Sequence, residues 1–449
     1  MSLKDLGRKI IDKVCRNKNI QAEIYIVEGT GTNVVISGQK VEDCKVAASQ
    51  GVGLRILSGG RWGSSYTSGL DVADIDKMIA MAEANVENTT SDEYNRLPMA
   101  PETGRYYAGG LHLYDPKLKS VSLDEKIKLA SSMEKLALDY DKRIKSIFQA
   151  DYSDGEFSVA IISSSGIEQS SASTVCSLSL AALAEGEGQT QTGGEFLLRR
   201  FYNELKVEEV AKVAGWRAIR MLGAKPVKTQ KAAIIFDPLV ACEFLGLIAG
   251  GLCADSVQRG KSLFKNKVHR KIASPLINIQ DDGTLPGGSG TSVFDDEGIP
   301  TQKTVLVKDG TLQGYLYDTY TAAKDKVAST GNASRGSFKG TPGVGVSNFF
   351  IEKGKTRRDN LLKETGDGFY VMEVMGMHMA DPISGDFSVG AAGLWIQNGE
   401  FAQPVQGVTI AGNIIALLNS IDGVGDDLKF YGNVGSPTIR ISDIMISGT

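Results

Sequence analysis

One glycine-rich segment, residues 376–413, holds the side chains most able to do chemistry. It contains a histidine, His378, with Asp381 and Asp386 close behind it. Imidazole and carboxylate groups bind metal ions and transfer protons near neutral pH, so the segment is a candidate ligand or catalytic site. A structural histidine is the simpler alternative, and the sequence leaves open whether a ligand is turned over here or only held.

Local spacing does not predict a zinc site. The sequence has three histidines, His112, His269 and His378, and contains neither HExxH nor HExxxH. A zinc hydrolase normally uses three protein ligands and a bound water. Only ligands gathered from distant segments would build such a site, and that alternative stays open.

Two further motifs are incomplete. The run GKS at 260–262 resembles the end of a phosphate-binding loop, but Asp255 stands where that loop needs its first glycine. Ser289 lies in a GGSG run that lacks the spacing of a nucleophile elbow. The sequence therefore predicts neither nucleotide binding nor a serine nucleophile.

Composition excludes several classes of protein. The 49 basic and 53 acidic side chains give a formal charge of -4, which argues against direct nucleic-acid binding. The five cysteines form no CxxC pair, as expected for reduced intracellular thiols. No secretory signal is recognised, and the longest apolar run, 238–253, is interrupted by Glu243 and is too short to span a membrane. We expect a cytoplasmic protein without a membrane segment.

The order of strand-like and helix-like segments along the chain predicts an α+β fold. A chain of 449 residues normally divides into two domains, and a helix ending at GAKP, 223–226, marks the boundary. We predict an N-terminal domain, 1–222, and a C-terminal domain, 226–449, each with a largely antiparallel sheet and flanking helices. Short strands are expected at 22–27, 33–37, 53–57 and 62–67, and a capping box of Ser122 and Glu125 is expected to begin a helix. Three long strands are expected at 144–152, 156–164 and 169–184, with an Asp-Gly turn at 154–155 between the first two and a Ser-Gly turn between the last two.

Glycines interrupt two elements of the C-terminal half. Gly246, Gly250 and Gly251 lie in the helix that follows Asp237, although each interior glycine costs roughly 1 kcal/mol relative to alanine. Such glycines indicate close approach of a ligand or of neighbouring backbone. The glycines of 376–413 indicate bulges or close backbone approach beside an Asn-Gly hairpin at 398–399.

Eight motifs spread along the chain together resemble one family. They are GVGLR (51–55), GRWG (60–63), SVFDDEG (292–298), VKDGTL (307–312), TGNA (330–333), SGDFS (384–388), GLWIQNG (393–399) and VTIAGN (408–413). The chain resembles the TldD/PmbA family, whose members are called modulators of DNA gyrase, and within it the PmbA (TldE) branch.

The resemblance implies a degenerate metallopeptidase site. In the TldD branch a helix carries HExxxH and a later cysteine completes a zinc site. Leu245, Gly246 and Gly250 stand at the motif positions of this sequence, and no cysteine lies near Met377–Met379. The resemblance therefore implies no catalytic residue and no metal ligand in this chain, with zinc expected only in a TldD-like partner that cleaves unfolded peptides.

The same resemblance suggests where a peptide is held. Strand addition at an edge formed by 376–413 would give affinity through backbone hydrogen bonds. The peptide-binding candidates are His378, Asp386, Gly393, Asn332 and Asn413. One alternative is an independent peptidase or a homodimer with a site around His378. Another is a regulator that binds DNA gyrase.

Overall fold

A computed structural model describes residues 2–16, 19–100, 106 and 109–449. Within these residues the chain forms three six-stranded sheets, a two-stranded ribbon and flanking helices, which confirms the predicted α+β class. The α-helices are α1 (Leu3–Val14), α2 (Val72–Glu87), α3 (Leu123–Tyr140), α4 (Val207–Arg220), α5 (Pro238–Ala249), α6 (Ala254–Gln258), α7 (Thr319–Asp325), α8 (Arg358–Thr365) and α9 (Ile414–Asn419). None of the described helices is both long and apolar enough to cross a bilayer.

The first sheet is antiparallel throughout and contains the longest strands of the molecule. Its strands, in the order β3-β2-β1-β4-β5-β6, are β1 (Gln21–Ser37), β2 (Lys40–Ser58), β3 (Arg61–Thr67), β4 (Ile144–Ser163), β5 (Glu168–Gly186) and β6 (Gln189–Arg199). Inward residues of one face pack under α1 and α2 at one end and under α3 and α4 at the other. The sheet thus supports two apolar clusters side by side.

Two predicted strand breaks in this sheet are wrong. The Asp154-Gly155 dipeptide makes no turn, because β4 pairs through it with β1 on one side and β5 on the other. Similarly, β1 runs unbroken where two short strands were predicted. Cross-strand pairing on both sides outweighs the local turn preference at these positions. Strand β6 was not predicted at all.

The second half contains the other two sheets and the ribbon. One sheet, in the order β10-β9-β8-β13-β19-β18, consists of β8 (Ile279–Asp282), β9 (Lys303–Lys308), β10 (Thr311–Leu312), β13 (Phe349–Ile351), β18 (Lys429–Tyr431) and β19 (Val434–Ser436). The other, in the order β16-β15-β14-β7-β20-β17, consists of β7 (Gln230–Phe236), β14 (Gly368–Met375), β15 (Asp386–Gln397), β16 (Glu400–Asn413), β17 (Ile421–Val424) and β20 (Ile439–Ser447). The ribbon pairs β11 (Ala333–Ser334) with β12 (Gly343–Val344).

The sheet that contains β15 closes into a barrel. Strand β20 pairs with β7 along one side, and its last residues pair with β16 on the other, which closes a ring of five strands, β16, β15, β14, β7 and β20, with β17 outside it. Strand β15 forms backbone hydrogen bonds with β14 on one side and with β16 on the other. The prediction that 376–413 forms an edge open to a peptide is wrong for β15, because both of its backbone edges are already paired.

Helix α5 lies between the barrel and the neighbouring sheet. Asp237 caps it by accepting a hydrogen bond from the Leu239 amide, and proline follows at the first helical position. Phe244 stacks on Phe236 of β7 and meets Phe387 of β15 edge to face. These aromatic contacts fix one side of α5 in the largest apolar core and leave the opposite side free of them.

The second half packs on the remaining face of the first sheet. Tyr25 and Ile161 contact an apolar cluster that includes Phe294. Beside it lies a group that we call the buried ion network, which consists of Glu23, Arg55, Asp296, Glu297 and Arg335. Contacts between distant parts of the sequence thus hold the two halves together.

Candidate functional site

A cleft of about 390 Å³ opens between the first sheet and the barrel. We call it the β6–α5 cleft. Its lining comes from β5, β6 and α4 on one side and from α5, β14, β15 and β18 on the other, through Ser179, Leu180, Ala181, Thr192, Gly193, Gly194, Glu195, Phe196, Arg217, Met221, Leu239, Glu243, Met372, Glu373, Val374, Ala392 and Tyr431.

One wall of the cleft is the outer edge of β6. Five consecutive residues, 192–196, line it beside residues 179–181 of β5. Among the described residues β6 pairs with β5 alone, so its other edge carries backbone groups without a strand partner. Gly193 packs against α4, where a Cβ would lie 2.2 Å from the Ala218 nitrogen. At Gly194 a Cβ would meet nothing closer than 3.6 Å.

The facing wall is the side of α5 that is turned away from the core. Leu239 and Glu243 line the cleft. Gly246 and Gly250 follow at spacings of three and four residues, which places all four on one helical face. A Cβ at either glycine would meet nothing within 4 Å. Leu245, by contrast, is 3% exposed and belongs to the apolar core.

The three residues at the motif positions therefore lie in two different environments, open space and the apolar core. Gly246 and Gly250 border open space, and Leu245 points into the core. Leu245 and the two glycines carry no side-chain atom that binds zinc. Within the described part of the chain no group of three or more His, Cys, Asp or Glu side chains is placed to hold a metal ion. The residues at the motif positions do not fit zinc.

Arg217 and Asp237 tie the base of the cleft together. Arg217 of α4 donates hydrogen bonds to Asp237 at 2.8 Å and to the Met372 carbonyl at 3.1 Å. Tyr370 donates to the other Asp237 oxygen at 2.7 Å. Burial alone would lower the pKa of Arg217, but the neighbouring Asp237 carboxylate raises it. Arg217 therefore stays charged and joins α4 to the start of α5.

Glu195 lines the cleft from β6, and its carboxylate lies within 4 Å of two cations, Arg217 at 3.8 Å and Lys429 at 3.9 Å. Its side chain is only 6% exposed. Tyr431 donates to its Oε1 at 3.3 Å, whereas Oε2 accepts no hydrogen bond from the described residues and lies 3.8 Å from Arg217 Nε. Burial raises the pKa of Glu195, although Lys429 and Arg217 oppose that shift.

Two further carboxyl groups, those of Glu243 and Glu373, also line the cleft. Burial, and then the nearby Glu373, raise the pKa of Glu243 to about 7. Glu373 is exposed and follows a bulge in β14. The cleft thus presents three carboxyl groups and one guanidinium, that of Arg217, which Asp237 already neutralises.

The five peptide-binding candidates predicted from the sequence do not line this cleft. His378 is exposed in a 3-10 turn after β14. Asp386 and Asn413 come together at the paired ends of β15 and β16, where Asn413 donates to Asp386 at 2.9 Å and caps α9. These three residues stay predictions as peptide contacts.

Gly393 and Asn332 are both in close contact with other parts of the C-terminal half. A Cβ at Gly393 would lie 2.0 Å from the Tyr370 carbonyl oxygen, so the close approach predicted here is to β14. Asn332 is buried and donates to Asp281 at 2.7 Å and to the Gly345 carbonyl at 3.0 Å. Their peptide-binding roles also stay predictions.

Sequence reasoning missed the residues that do line the cleft. Glu195, Arg217 and Glu373 lie on three separate elements and share no local motif. One usable signal was the acidic Glu243 inside the longest apolar run. Another was the Gly193-Gly194 pair inside a strand.

Comparison with known proteins matches almost the whole chain to one protein family. Three family models match consecutive parts of it, described as PmbA/TldA metallopeptidase domain 1 (22–86), central domain (116–222) and C-terminal domain (229–448). The chain is 28% identical over 450 residues to the metalloprotease PmbA of Escherichia coli O157:H7, which covers 98% of this chain and 97% of that protein.

Two further relatives show the same breadth of similarity. A metalloprotease TldD homologue from Haemophilus influenzae is 25% identical over 97% of this chain and 95% of its own length. A solved structure of a proposed modulator of a DNA gyrase from Thermotoga maritima superposes with a TM-score of 0.91 at 25% identity, covering 99% of this chain and 100% of that chain. The chain belongs to the PmbA/TldD metallopeptidase family.

Proposed function

We propose that this chain is the peptide-holding, zinc-free subunit of a two-chain metallopeptidase, in which a TldD-like partner supplies the zinc. The observation that carries the proposal is the pairing of the edge strand β6 with the α5 face of Leu239 and Glu243. That face continues beyond the cleft lining through Gly246 and Gly250, which stand at the motif positions and border open space. The family's chemistry is metallopeptidase chemistry, and this chain's residues at the motif positions cannot perform it.

The absence of ligand side chains separates holding from cutting. Amide hydrolysis by a metallopeptidase uses a metal to lower the pKa of its bound water. Leucine and glycine at 245, 246 and 250 neither bind zinc nor act as a general base. The α5 face is retained with its ligands removed, which leaves open space where a substrate chain fits.

The cleft is suited to an extended, unfolded peptide. An added strand would satisfy the unpaired N–H and C=O groups of residues 192–196 and would receive most of its affinity from the backbone. Such recognition depends little on side-chain identity, which matches a substrate defined by being unfolded. The five residues lining the edge correspond to a bound strand of about 16 Å.

The partner is tested by reconstitution. The chain is co-expressed with a TldD-like chain from the same genome, and cleavage of reduced, carboxymethylated casein is compared for each chain and for the pair, with zinc measured in each. We expect a stable complex, zinc in the partner and cleavage only when the partner is present. Zinc in this chain, together with activity that His378→Ala abolishes, would instead support an independent peptidase.

A cleft-blocking variant tests the holding role. Gly246→Phe fills the open α5 face, while Gly336→Phe, at an exposed glycine outside the cleft with equally open surroundings, is the matched control. We expect Gly246→Phe to weaken peptide binding by the complex at least about tenfold, which corresponds to about 1.4 kcal/mol of lost binding. Equal affinity in both variants would place the peptide elsewhere.

A further inference from the structure

The outer half of β2 is a sheet edge without a strand partner. Strand β2 pairs with β1 along its length, whereas β3 pairs with it only from Val52 onward. In the described chain no strand or isolated bridge pairs with the other side of residues 40–49. The hairpin turn at 38–39 bounds this stretch at one end, and at the other end the Gln50 side chain donates to the Ser68 carbonyl. We call residues 40–49 the free β2 edge.

The free β2 edge is open to solvent on both faces of the sheet. Apart from Asp43, which is half-buried, every residue from 40 to 49 is exposed. Val41 and Val46 are large apolar side chains with 44% and 70% of their surface exposed. A long exposed edge with apolar side chains is a template for pairing with another strand, and proteins usually cover or block such an edge.

Three exposed side chains of the edge share the sheet face that α3 covers over β1. Their partners on β1 are all buried. The pairs are Val41 with Ile36, Cys44 with Val34, and Val46 with Thr32. Val34 and Ile36 belong to the apolar cluster packed under α3. The apolar layer beneath α3 therefore ends at β1, although β2 continues the sheet.

Symmetry limits the ways in which a second copy can pair with this edge. Two antiparallel copies of one strand are related by a two-fold axis perpendicular to the sheet, because this axis keeps every side chain on its own face. One residue then lies opposite its own copy. For the edge to pair without the copy's hairpin turn reaching β3, that residue must lie near the middle, at Asp43, Cys44 or Lys45. An axis at Asp43 or Lys45 would place like charges directly opposite each other, which leaves Cys44.

An axis at Cys44 makes the two copies complementary on both faces. On one face Asp43 of each copy lies opposite Lys45 of the other, which gives two pairs of opposite charge. Within one chain Asp43 already contacts Lys45 at 2.7 Å, so four charges of alternating sign meet at the axis. On the α3 face Val41 lies opposite Val46 once the bulged residue between Val41 and Asp43 is passed over. The exposed valines of one copy would thus be covered by those of the other.

We propose that the free β2 edge docks a second copy of this chain, in an antiparallel strand pair whose two-fold axis passes at Cys44. The pairing joins the first sheets of two copies into one continuous sheet and forms about six backbone hydrogen bonds. The surface lies near the end of the strand order opposite to β6. It does not use the β6–α5 cleft, and the inference therefore goes beyond the peptide-holding function.

Crosslinking of the full-length chain tests the register. Side chains directly opposite each other in an antiparallel pair have Cβ atoms about 4.5–5.5 Å apart, so the Cys44 thiols of two copies would lie within reach of the short crosslinker bismaleimidoethane. Cys44 is exposed, whereas the other cysteines are buried or half-buried. We expect a dimer by light scattering at micromolar protein, and a covalent dimer after crosslinking that Cys44→Ser abolishes.

Charge exchange locates the interface. Asp43→Lys alone and Lys45→Glu alone each place like charges opposite each other across the axis, and each should raise the dissociation constant of the dimer at least about tenfold. A one-to-one mixture of these two variants brings opposite charges together again and should restore the dimer, which also shows that both variants fold. Lys231→Glu, which breaks a similarly exposed pair with Asp443, is the control and should leave the dimer unchanged.

The remaining outcomes overturn the inference. They are a monomeric chain, a dimer that withstands both single substitutions, and a mixture of the two variants that stays monomeric. If Cys44 crosslinks only after a TldD-like chain is added, the edge docks that partner and a second copy is excluded as its occupant. None of these results overturns the peptide-holding function, since the β6–α5 cleft is formed by other strands.

Discussion

The two halves of the molecule meet at two groups of acidic side chains, and these groups differ in how closely the chain's own cations approach the carboxylates. In the buried ion network Glu23 is fully buried and accepts from Arg55 at 3.0 and 2.6 Å, while Arg335 contacts its other side. In the β6–α5 cleft Glu195 is nearly as buried but has an oxygen without a donor in the described chain.

Glu23 and Glu243, one carboxyl group from each site, have pKa values shifted in opposite directions, whereas burial raises the pKa of Asp296 and Glu297 within the network as well. Burial raises the pKa of Glu23, but the attractions of Arg335 and Arg55 outweigh it and lower the pKa below its ordinary value. The pKa of Glu243 rises because burial and Glu373 act in the same direction. Close contacts with arginine therefore lower the pKa of a buried carboxyl group, and burial beside a second carboxyl group raises it.

The largest expected effect comes from removing a cation from the network. Arg335→Ala removes the guanidinium that contacts buried Glu23 and whose charge lowers the pKa of Asp296, and we expect the free energy of unfolding to fall by about 3–5 kcal/mol. Urea denaturation measures this loss. Arg8→Ala, which breaks an exposed pair with Glu168, is the control and should change stability by less than about 1 kcal/mol. Equal losses in both variants would refute the structural role of the network.

The next largest effect is expected at a glycine whose close packing leaves no room for a side chain. Gly393→Ala places a Cβ 2.0 Å from the Tyr370 carbonyl oxygen, which is backbone and cannot move aside. We expect a loss of about 1–3 kcal/mol of unfolding free energy, the usual range for overpacking. A thermal melt that is unchanged would mean that β14 and β15 can separate there.

A smaller effect concerns pH. Folded Glu243 has a pKa of about 7 against an ordinary value of 4.5, so the folded state binds more protons between these pH values and stability falls as pH rises through that window. Glu23, whose folded pKa is lowered, has the opposite sign and loses its contribution as pH falls below 4.5. Glu243→Gln should remove the first dependence and keep the second. After allowance for partial solvent screening the difference is about 1 kcal/mol, read from urea midpoints between pH 4 and pH 8. An unchanged slope in the variant would exclude Glu243 as its source.

The smallest effect is stabilising. Gly246→Ala adds a methyl group on the open face of α5, where a Cβ meets nothing within 4 Å. We expect a gain of about 0.5–1 kcal/mol from helix propensity. A loss of stability would show that the α5 face is already filled in solution.

Local signals in the sequence predicted those parts of the fold that depend on near neighbours. The Ser122 and Glu125 capping box begins α3 as predicted, because both hydrogen bonds join residues three apart. The helix after Asp237-Pro238 was predicted for the same kind of reason. The Asp154-Gly155 turn failed because strands on both sides pair through it.

The candidate site was less predictable, because it is assembled from distant segments. The hydrogen bond from Tyr431 to Glu195 joins residues 236 positions apart. No periodicity within either segment indicates the other.

The position of β20 in the barrel has a consequence for biosynthesis. Strand β7 ends at Phe236, and its partner β20 begins at Ile439, so about 200 residues must be translated between them. At roughly 5–20 residues per second this takes about 10–40 s. The first sheet, complete by Arg199, can fold during that interval, whereas β7 waits beside the ribosome with one edge unpaired. Slow codons or chaperone loss should therefore affect the second half of the molecule first.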